Sequence, residues 1–195
     1  MKKTFLSAMA ALVFVGTSQA GFDSYNLEYA GTLTVAAGKK SGNLSGDAFV
    51  APSVSGDAAT FEFSALGAKG ISAEVQVKLN ADGSASLDVD CKVLADPRFL
   101  SKREENARGN RGARGKKVRV KYTATGTYVL APDGFTTSLN VSNNRGKNGT
   151  NVTGLISKDA ESNLTVTLNS GFKQKLDGLG RRLVITYLGA PVLQE

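Results

Sequence analysis

Apolar and polar residues alternate with a period of two over much of the chain that follows residue 20. The clearest runs lie at 75–79, 87–93, 118–122, 164–168 and 183–187. Successive side chains of a β-strand point to opposite faces, so this alternation predicts strands with one apolar and one polar face. The same part of the chain contains no long stretch with the period of an amphipathic helix.

A local turn pattern recurs between these strands. An apolar residue and two further residues precede Asp followed by Gly or Ala, and two apolar residues spaced by two come next. The four copies centre on Asp57, Asp82, Asp133 and Asp159, so the steps between them are 25, 51 and 26 residues. Asp-Gly between alternating strands is a strong hairpin signal, because Gly adopts positive φ and the Asp carboxylate binds the turn's backbone. The middle step equals two periods and leaves one turn unmatched.

The repeat predicts the fold class. A period near 25 residues accommodates two strands and two turns, which is typical of an antiparallel meander. We predict an all-β domain of about nine to eleven strands that closes as an up-and-down barrel, because open sheet edges promote aggregation. A β-sandwich is the alternative.

The first 20 residues have the features of a secretory signal peptide. Lys2 and Lys3 precede an apolar run over 5–15, and small residues surround the junction at Ala20. The apolar run is shorter than the roughly 20 residues that a membrane-spanning helix needs. We predict cleavage before Gly21, which leaves 21–195 as a single all-β domain in the periplasm or the medium of a bacterial cell.

The amino-acid composition excludes most classes of catalytic site. The 195 residues include no His and one Cys, so catalytic triads, His-containing zinc sites and disulfides within the chain are excluded. We predict a protein that is not an enzyme and has no catalytic, metal or cofactor site. Cys91 shares the apolar side of its strand and is expected in the core, whereas Asp88 and Asp90 lie on the polar side. Tyr25 and Tyr29 are expected on the inner side of the first mature strand.

Positive charge is concentrated in one segment. Residues 98–121 hold ten basic and two acidic residues, a net charge of +8. The chain from residue 21 has 22 basic and 17 acidic residues, so the remainder sums to 12 minus 15, or −3. We therefore predict a Gly- and Arg-rich loop at about 98–117. Its candidate anion-binding residues are Arg103, Arg108, Arg111, Arg114, Lys116 and Lys117.

Two interpretations of this loop stay open. It is either a solvated linker or an arm that binds a polyanion or a partner's acidic surface. On the second interpretation the chain is an exported, non-catalytic binding or interaction module of the cell envelope. The alternatives are a structural envelope subunit that assembles through its sheet edges and a small outer-membrane β-barrel. The absence of Trp disfavours membrane insertion, because outer-membrane barrels carry aromatic girdles.

Overall fold

The computed structural model of the chain describes residues 21–37, 40–94, 117–144, 149–176 and 179–192. In these ranges, β-strands account for nearly all of the regular structure, and two short 3-10 turns cover Phe22–Tyr25 and Ala68–Gly70. The strands are β1 (Tyr29–Ala37), β2 (Lys40–Val50), β3 (Ser53–Ser55), β4 (Ala58–Gly67), β5 (Ile71–Leu79), β6 (Ser84–Leu94), β7 (Lys117–Leu130), β8 (Thr136–Asn143), β9 (Thr150–Lys158), β10 (Leu164–Leu176) and β11 (Gly180–Pro191). Among the described residues, no helix is long and apolar enough to cross a membrane.

All of these strands belong to one antiparallel sheet. Its order is β2-β1-β11-β10-β9-β8-β7-β6-β5-β4-β3, an 11-stranded arrangement in which the first strand pairs with the last. Every other pair of neighbours in the sheet is also consecutive in sequence. The predicted all-β meander is confirmed, and the strand number lies at the upper limit of the predicted range. One curled sheet forms in place of the two packed sheets of a sandwich.

The two ends of the sheet order lie together because one bent segment supplies both of them. Only Ala51 and Pro52 separate β2 from β3, and proline has no amide hydrogen with which to continue a ladder. β2 then runs beside β4, since a Cβ atom on Gly46 would lie 3.0 Å from the carbonyl oxygen of Leu66. The curled sheet therefore has a barrel-like form with a seam between β2 and β4.

The apolar faces of the strands turn inward and form one core. In β5, for example, Val75, Val77 and Leu79 are buried while the residues between them are partly or fully exposed. Where β1 meets β11 the backbones approach closely: Gly31 faces Gly189, and a Cβ atom on Gly31 would lie 2.0 Å from the Leu188 carbonyl oxygen. Only glycine fits at such a contact.

The first 3-10 turn seals one end of this core. Tyr25 belongs to the turn and precedes β1, so its predicted place in the first strand is wrong, whereas both Tyr25 and Tyr29 are buried as expected. The Tyr25 hydroxyl donates a hydrogen bond to the Phe135 carbonyl at 2.6 Å. Its ring also packs edge-on against Phe61, with ring centroids 5.6 Å apart. These tertiary contacts stabilise the turn. The local alternation of apolar and polar residues contains no information about them.

The four Asp-centred turns all lie at this sealed end. Gly83 and Gly134 adopt φ values of 81° and 70°, as the Asp-Gly pattern predicts. In the two Asp-Ala copies, positive φ falls instead on Gly56, at 58°, and on Ser162, at 65°. We call the end of the sheet that carries the turns of Asp57, Asp82, Asp133 and Asp159 the acidic end. The opposite end, where the chain leaves β6 and returns as β7, is the basic end.

The long step between Asp82 and Asp133 corresponds to a single pair of strands among the described residues. β6 and β7 pair continuously, from Ser84 opposite Thr127 to Leu94 opposite Lys117. The step is long because the β6–β7 connection at the basic end, 95–116, is long. The basic segment therefore connects the two paired strands β6 and β7.

Candidate anion-binding site

The predicted basic loop begins and ends at the basic end. Lys117 is the one predicted anion-binding residue that the structure describes, and it is exposed at the start of β7. Its ammonium group lies beside the turn before β5, because a Cβ atom on Gly70 would lie 3.1 Å from Lys117 Nζ. The other predicted residues lie outside the described ranges: Arg103, Arg108, Arg111, Arg114 and Lys116.

Further cationic side chains reach the same end from strands that are distant in sequence. β10 runs toward the basic end and β11 runs away from it, and together they expose Lys173, Lys175, Arg181 and Arg182. Sequence reasoning missed these residues because it counted charge within one segment. The hairpin period does indicate their position, because it places the turn after β10 at the end opposite Asp159.

Two cations of β7 are already engaged by an acidic partner. Arg119 donates to Asp90 through Nε at 2.8 Å and through Nη2 at 2.5 Å, and Lys121 Nζ lies 3.4 Å from the same carboxylate. The hydrogen bond from Arg119 is the main cause that lowers the pKa of Asp90 to about 2. Asp90 therefore remains ionised and offsets part of the charge on β7.

The cations of β10 and β11 have no such partner. Within the described part of the chain, the side chains of Lys173, Lys175, Arg181 and Arg182 form no hydrogen bond or ion pair. The Lys117 side chain likewise forms no hydrogen bond or ion pair within the described part of the chain. These five cations are exposed and uncompensated, so they contribute to the positive potential at the basic end.

The acidic end carries the opposite charge. Asp133 accepts hydrogen bonds from the backbone amides of Phe135 at 2.8 Å and Thr136 at 3.0 Å. The bond from Phe135 is the main cause that lowers the pKa of Asp133. Hydrogen bonds within their turns lower the pKa values of Asp82 and Asp159 as well. These carboxylates stay ionised at neutral pH, and the charge of the barrel is separated along its axis.

A broad groove of about 740 Å³ crosses the outer faces of β4 to β7. Its polar side chains are largely paired with one another: Gln76 donates to Glu62, and Thr123 donates to Asp88 at 2.5 Å. Asp88 and Asp90 face outward, as the alternation predicts. No group of three or more potential metal-ligating side chains is found among the described residues.

Cys91 occupies the core position that its strand pattern predicts. Its side chain is fully buried, and desolvation raises the pKa of the thiol to about 12. A thiol in this state is a packing group, because nucleophilic cysteines need the thiolate.

Comparison with known proteins finds no matching family model, no matching curated protein and no matching solved structure.

Proposed function

We propose that the protein is an exported, non-catalytic module of the cell envelope that binds anionic polymers at its basic end. The observation that carries this proposal is the separation of charge along the barrel. Uncompensated cations of β7, β10 and β11 lie at the end from which the Arg-rich segment leaves the sheet. Charge gathered at one end creates a directed field, whereas the same charge scattered over the surface does not.

The spread of these cations favours a polymer over a small anion. Lys117 on β7 is separated from Arg182 on β11 by four strand spacings in the sheet order. At about 4.8 Å per spacing, the curved path between the two strands is about 19 Å. A polyanion can contact several such charges at once and release its bound counterions, which makes the affinity strongly dependent on salt.

The outer faces of the strands support a domain surrounded by water over the outer-membrane alternative. The groove across β4 to β7 exposes Glu62, Glu74 and Asp88. Most large apolar residues of these strands point inward, and the exceptions are Leu66 and Val129, each one residue from the end of its strand. A barrel in a bilayer needs the reverse arrangement, with an apolar band on the outside.

The proposal is tested by titrating a polyanion against the intact protein and a variant that lacks 107–115. The deletion removes Arg108, Arg111 and Arg114 and leaves every described strand intact. With duplex DNA as probe, we expect the slope of log affinity against log salt to shrink by up to about three units. Heparin tests whether a carbohydrate polyanion behaves in the same way.

Asp57→Asn serves as the matched control for this titration, because Asp57 lies at the acidic end and no hydrogen bond to its carboxylate occurs in the described part of the chain. We expect its slope to equal that of the intact protein. Absence of binding by the intact protein at low salt, or equal slopes for the intact and deleted proteins, would refute the proposal.

The structural-subunit alternative is favoured by one observation, the opposite charge of the two ends. A second copy can place its basic end against the acidic end of the first and build a head-to-tail assembly. Sedimentation at low and high salt separates the two functions. A concentration-dependent, salt-sensitive increase in mass without any polyanion supports the subunit, and a monomer at low salt refutes it.

Export is tested separately by N-terminal sequencing of the protein recovered from the cell envelope. Mature protein that begins at Gly21 is the expected result. Retention of Met1 would overturn the localisation.

A further inference from the structure

A notch lies on the outer face of β9, β10 and β11, close to the basic end. Gly171 of β10 pairs with Asn151 of β9 on one side and with Arg182 of β11 on the other. Because Gly171 has no side chain, the outward side chains of Asn151 and Arg182 face each other across an empty position. The groove that results has a volume of about 380 Å³.

The space above Gly171 is open. A Cβ atom there would meet only one atom within contact distance, the Asn151 carbonyl oxygen at 3.7 Å. Two strand spacings of about 4.8 Å separate Asn151 from Arg182, so the backbones that carry these side chains lie about 10 Å apart. The open position between them has the scale of one sugar ring.

Polar side chains border the notch on three sides. Asn151 and Arg182 form its two walls, and Asn169 and Lys173 precede and follow Gly171 on the outer face of β10. Beyond Gly171 the ladder between β10 and β11 shifts register before Leu176, and the Lys173 side chain lies over Gly149, where a Cβ atom would be 2.9 Å from Lys173 Cδ.

The chemistry of these side chains is specific. An uncompensated guanidinium binds a carboxylate or a phosphate through two parallel hydrogen bonds, and a nearby ammonium adds charge. Amide side chains both donate and accept hydrogen bonds, as sugar hydroxyl groups do. No aromatic side chain lines the groove, so the stacking contacts that single-stranded nucleic acids use are missing.

We infer that the notch over Gly171 is a subsite for one acidic sugar unit, whose carboxylate or phosphate is bound by Arg182 and whose hydroxyl groups are bound by Asn151 and Asn169. This inference deepens the proposed function and rests on it, since it identifies the anionic polymer as an acidic glycan. The lysines of the basic end then bind the neighbouring units of the same chain, and Arg181, on the opposite side of β11, takes no part.

Two adjacent arginines provide the test. Arg182 faces the notch, whereas Arg181 lies on the opposite side of β11, the side of buried Leu183. Arg182→Gln and Arg181→Gln remove the same charge at nearly the same distance from the basic end. With digalacturonate as the probe in isothermal titration, we expect Arg182→Gln to weaken binding about tenfold or more and Arg181→Gln to change it less than twofold.

Gly171→Val supplies an independent variant that fills the notch and leaves every charge in place. The open space above Gly171 accepts the side chain, and a β-branched residue suits a strand, so this variant should keep its melting temperature. We expect it to lose binding about tenfold as well. Mannose 6-phosphate tests the phosphate form of the ligand, and maltose, which is uncharged, should not bind.

The outcomes separate the subsite from the proposed function. If the intact protein binds heparin with strong salt dependence while Arg182→Gln and Gly171→Val bind digalacturonate like Arg181→Gln, the subsite is refuted and the polyanion function remains. If the intact protein binds neither heparin nor digalacturonate, both proposals fail. Equal binding of maltose and digalacturonate would overturn the role of the guanidinium.

Discussion

The hydroxyl groups of Tyr122 on β7 and Ser170 on β10 lie 2.5 Å apart inside the barrel. β8 and β9 separate these strands in the sheet, so the hydrogen bond spans the interior and does not follow the ladder. Tyr122 also packs edge-on against Phe172, with ring centroids 5.6 Å apart. At this level the interior is occupied by side chains that contact one another across the sheet.

Tyr122→Phe tests this contact. The substitution removes one hydroxyl and leaves the buried Ser170 hydroxyl without its partner, so we expect the free energy of unfolding to fall by about 1–2 kcal/mol. Chemical denaturation measures the change. In a double-mutant cycle with Ser170→Ala, the second substitution should cost less in the Tyr122→Phe background. Fully additive effects would show that the two hydroxyl groups do not interact.

The turn carboxylates have a structural role that Asp133→Ala tests. Its carboxylate accepts the backbone amides of Phe135 and Thr136 and the Thr136 hydroxyl, the last at 2.9 Å. We expect the melting temperature to fall by about 2–4 °C, which is typical of a modest loss in a domain of this size.

Asp57→Ala is the matched control for Asp133, because the described residues supply no hydrogen bond to the Asp57 carboxylate. Its melting temperature should stay close to that of the intact protein. Loss of polyanion binding by Asp133→Ala with unchanged stability would contradict the structural role.

The turns show which parts of the fold can be predicted from the sequence alone. Alternation and the Asp-Gly pattern encode strands, hairpins and the inward position of Cys91, because each depends on residues that are close in the chain. The 3-10 turn of Tyr25 depends on contacts with Phe61 and Phe135, and no local pattern contains them. The pairing of β1 with β11 likewise joins residues far apart in the chain and is a property of the whole curled sheet.

The candidate site could likewise be predicted from the sequence only in part. The charge of the 98–121 segment is readable from composition. The position of Asn151 opposite Arg182 requires the registers of two separate strand pairs, which pattern reasoning does not supply. Gly171 illustrates the difficulty, because a glycine in a strand is compatible with a bulge, a close backbone contact or an open notch.

Gly126→Ala and Gly171→Ala distinguish a close contact from a notch. A Cβ atom on Gly126 would lie 2.1 Å from the Asn140 carbonyl oxygen, whereas one on Gly171 has its nearest contact at 3.7 Å. We expect Gly126→Ala to lower the free energy of unfolding by about 2–3 kcal/mol, because the backbones of β7 and β8 must separate. Gly171→Ala should be neutral or slightly stabilising. Equal effects in urea denaturation would refute the close packing of β7 against β8.

The ion pair between Asp90 and Arg119 predicts a pH dependence with a defined sign. The pKa of Asp90 is lowered to about 2 in the folded protein, below the value of about 3.9 for an unperturbed Asp in an unfolded chain. Asp90 therefore contributes stability that is fully present above about pH 4 and is lost as the pH falls toward 2.

Asp90→Asn tests this dependence. At pH 6 we expect its urea midpoint to lie below that of the intact protein by about 0.2–0.5 M, a small shift because the pair is partly exposed. The difference should shrink as the pH approaches 2, where the intact protein also carries a neutral side chain at this position. In an Arg119→Gln background, which lacks the guanidinium, the same substitution should have a smaller effect at pH 6. A midpoint difference that stays constant from pH 6 to pH 2, or one that grows, would show that the carboxylate charge does not stabilise the β6–β7 pair.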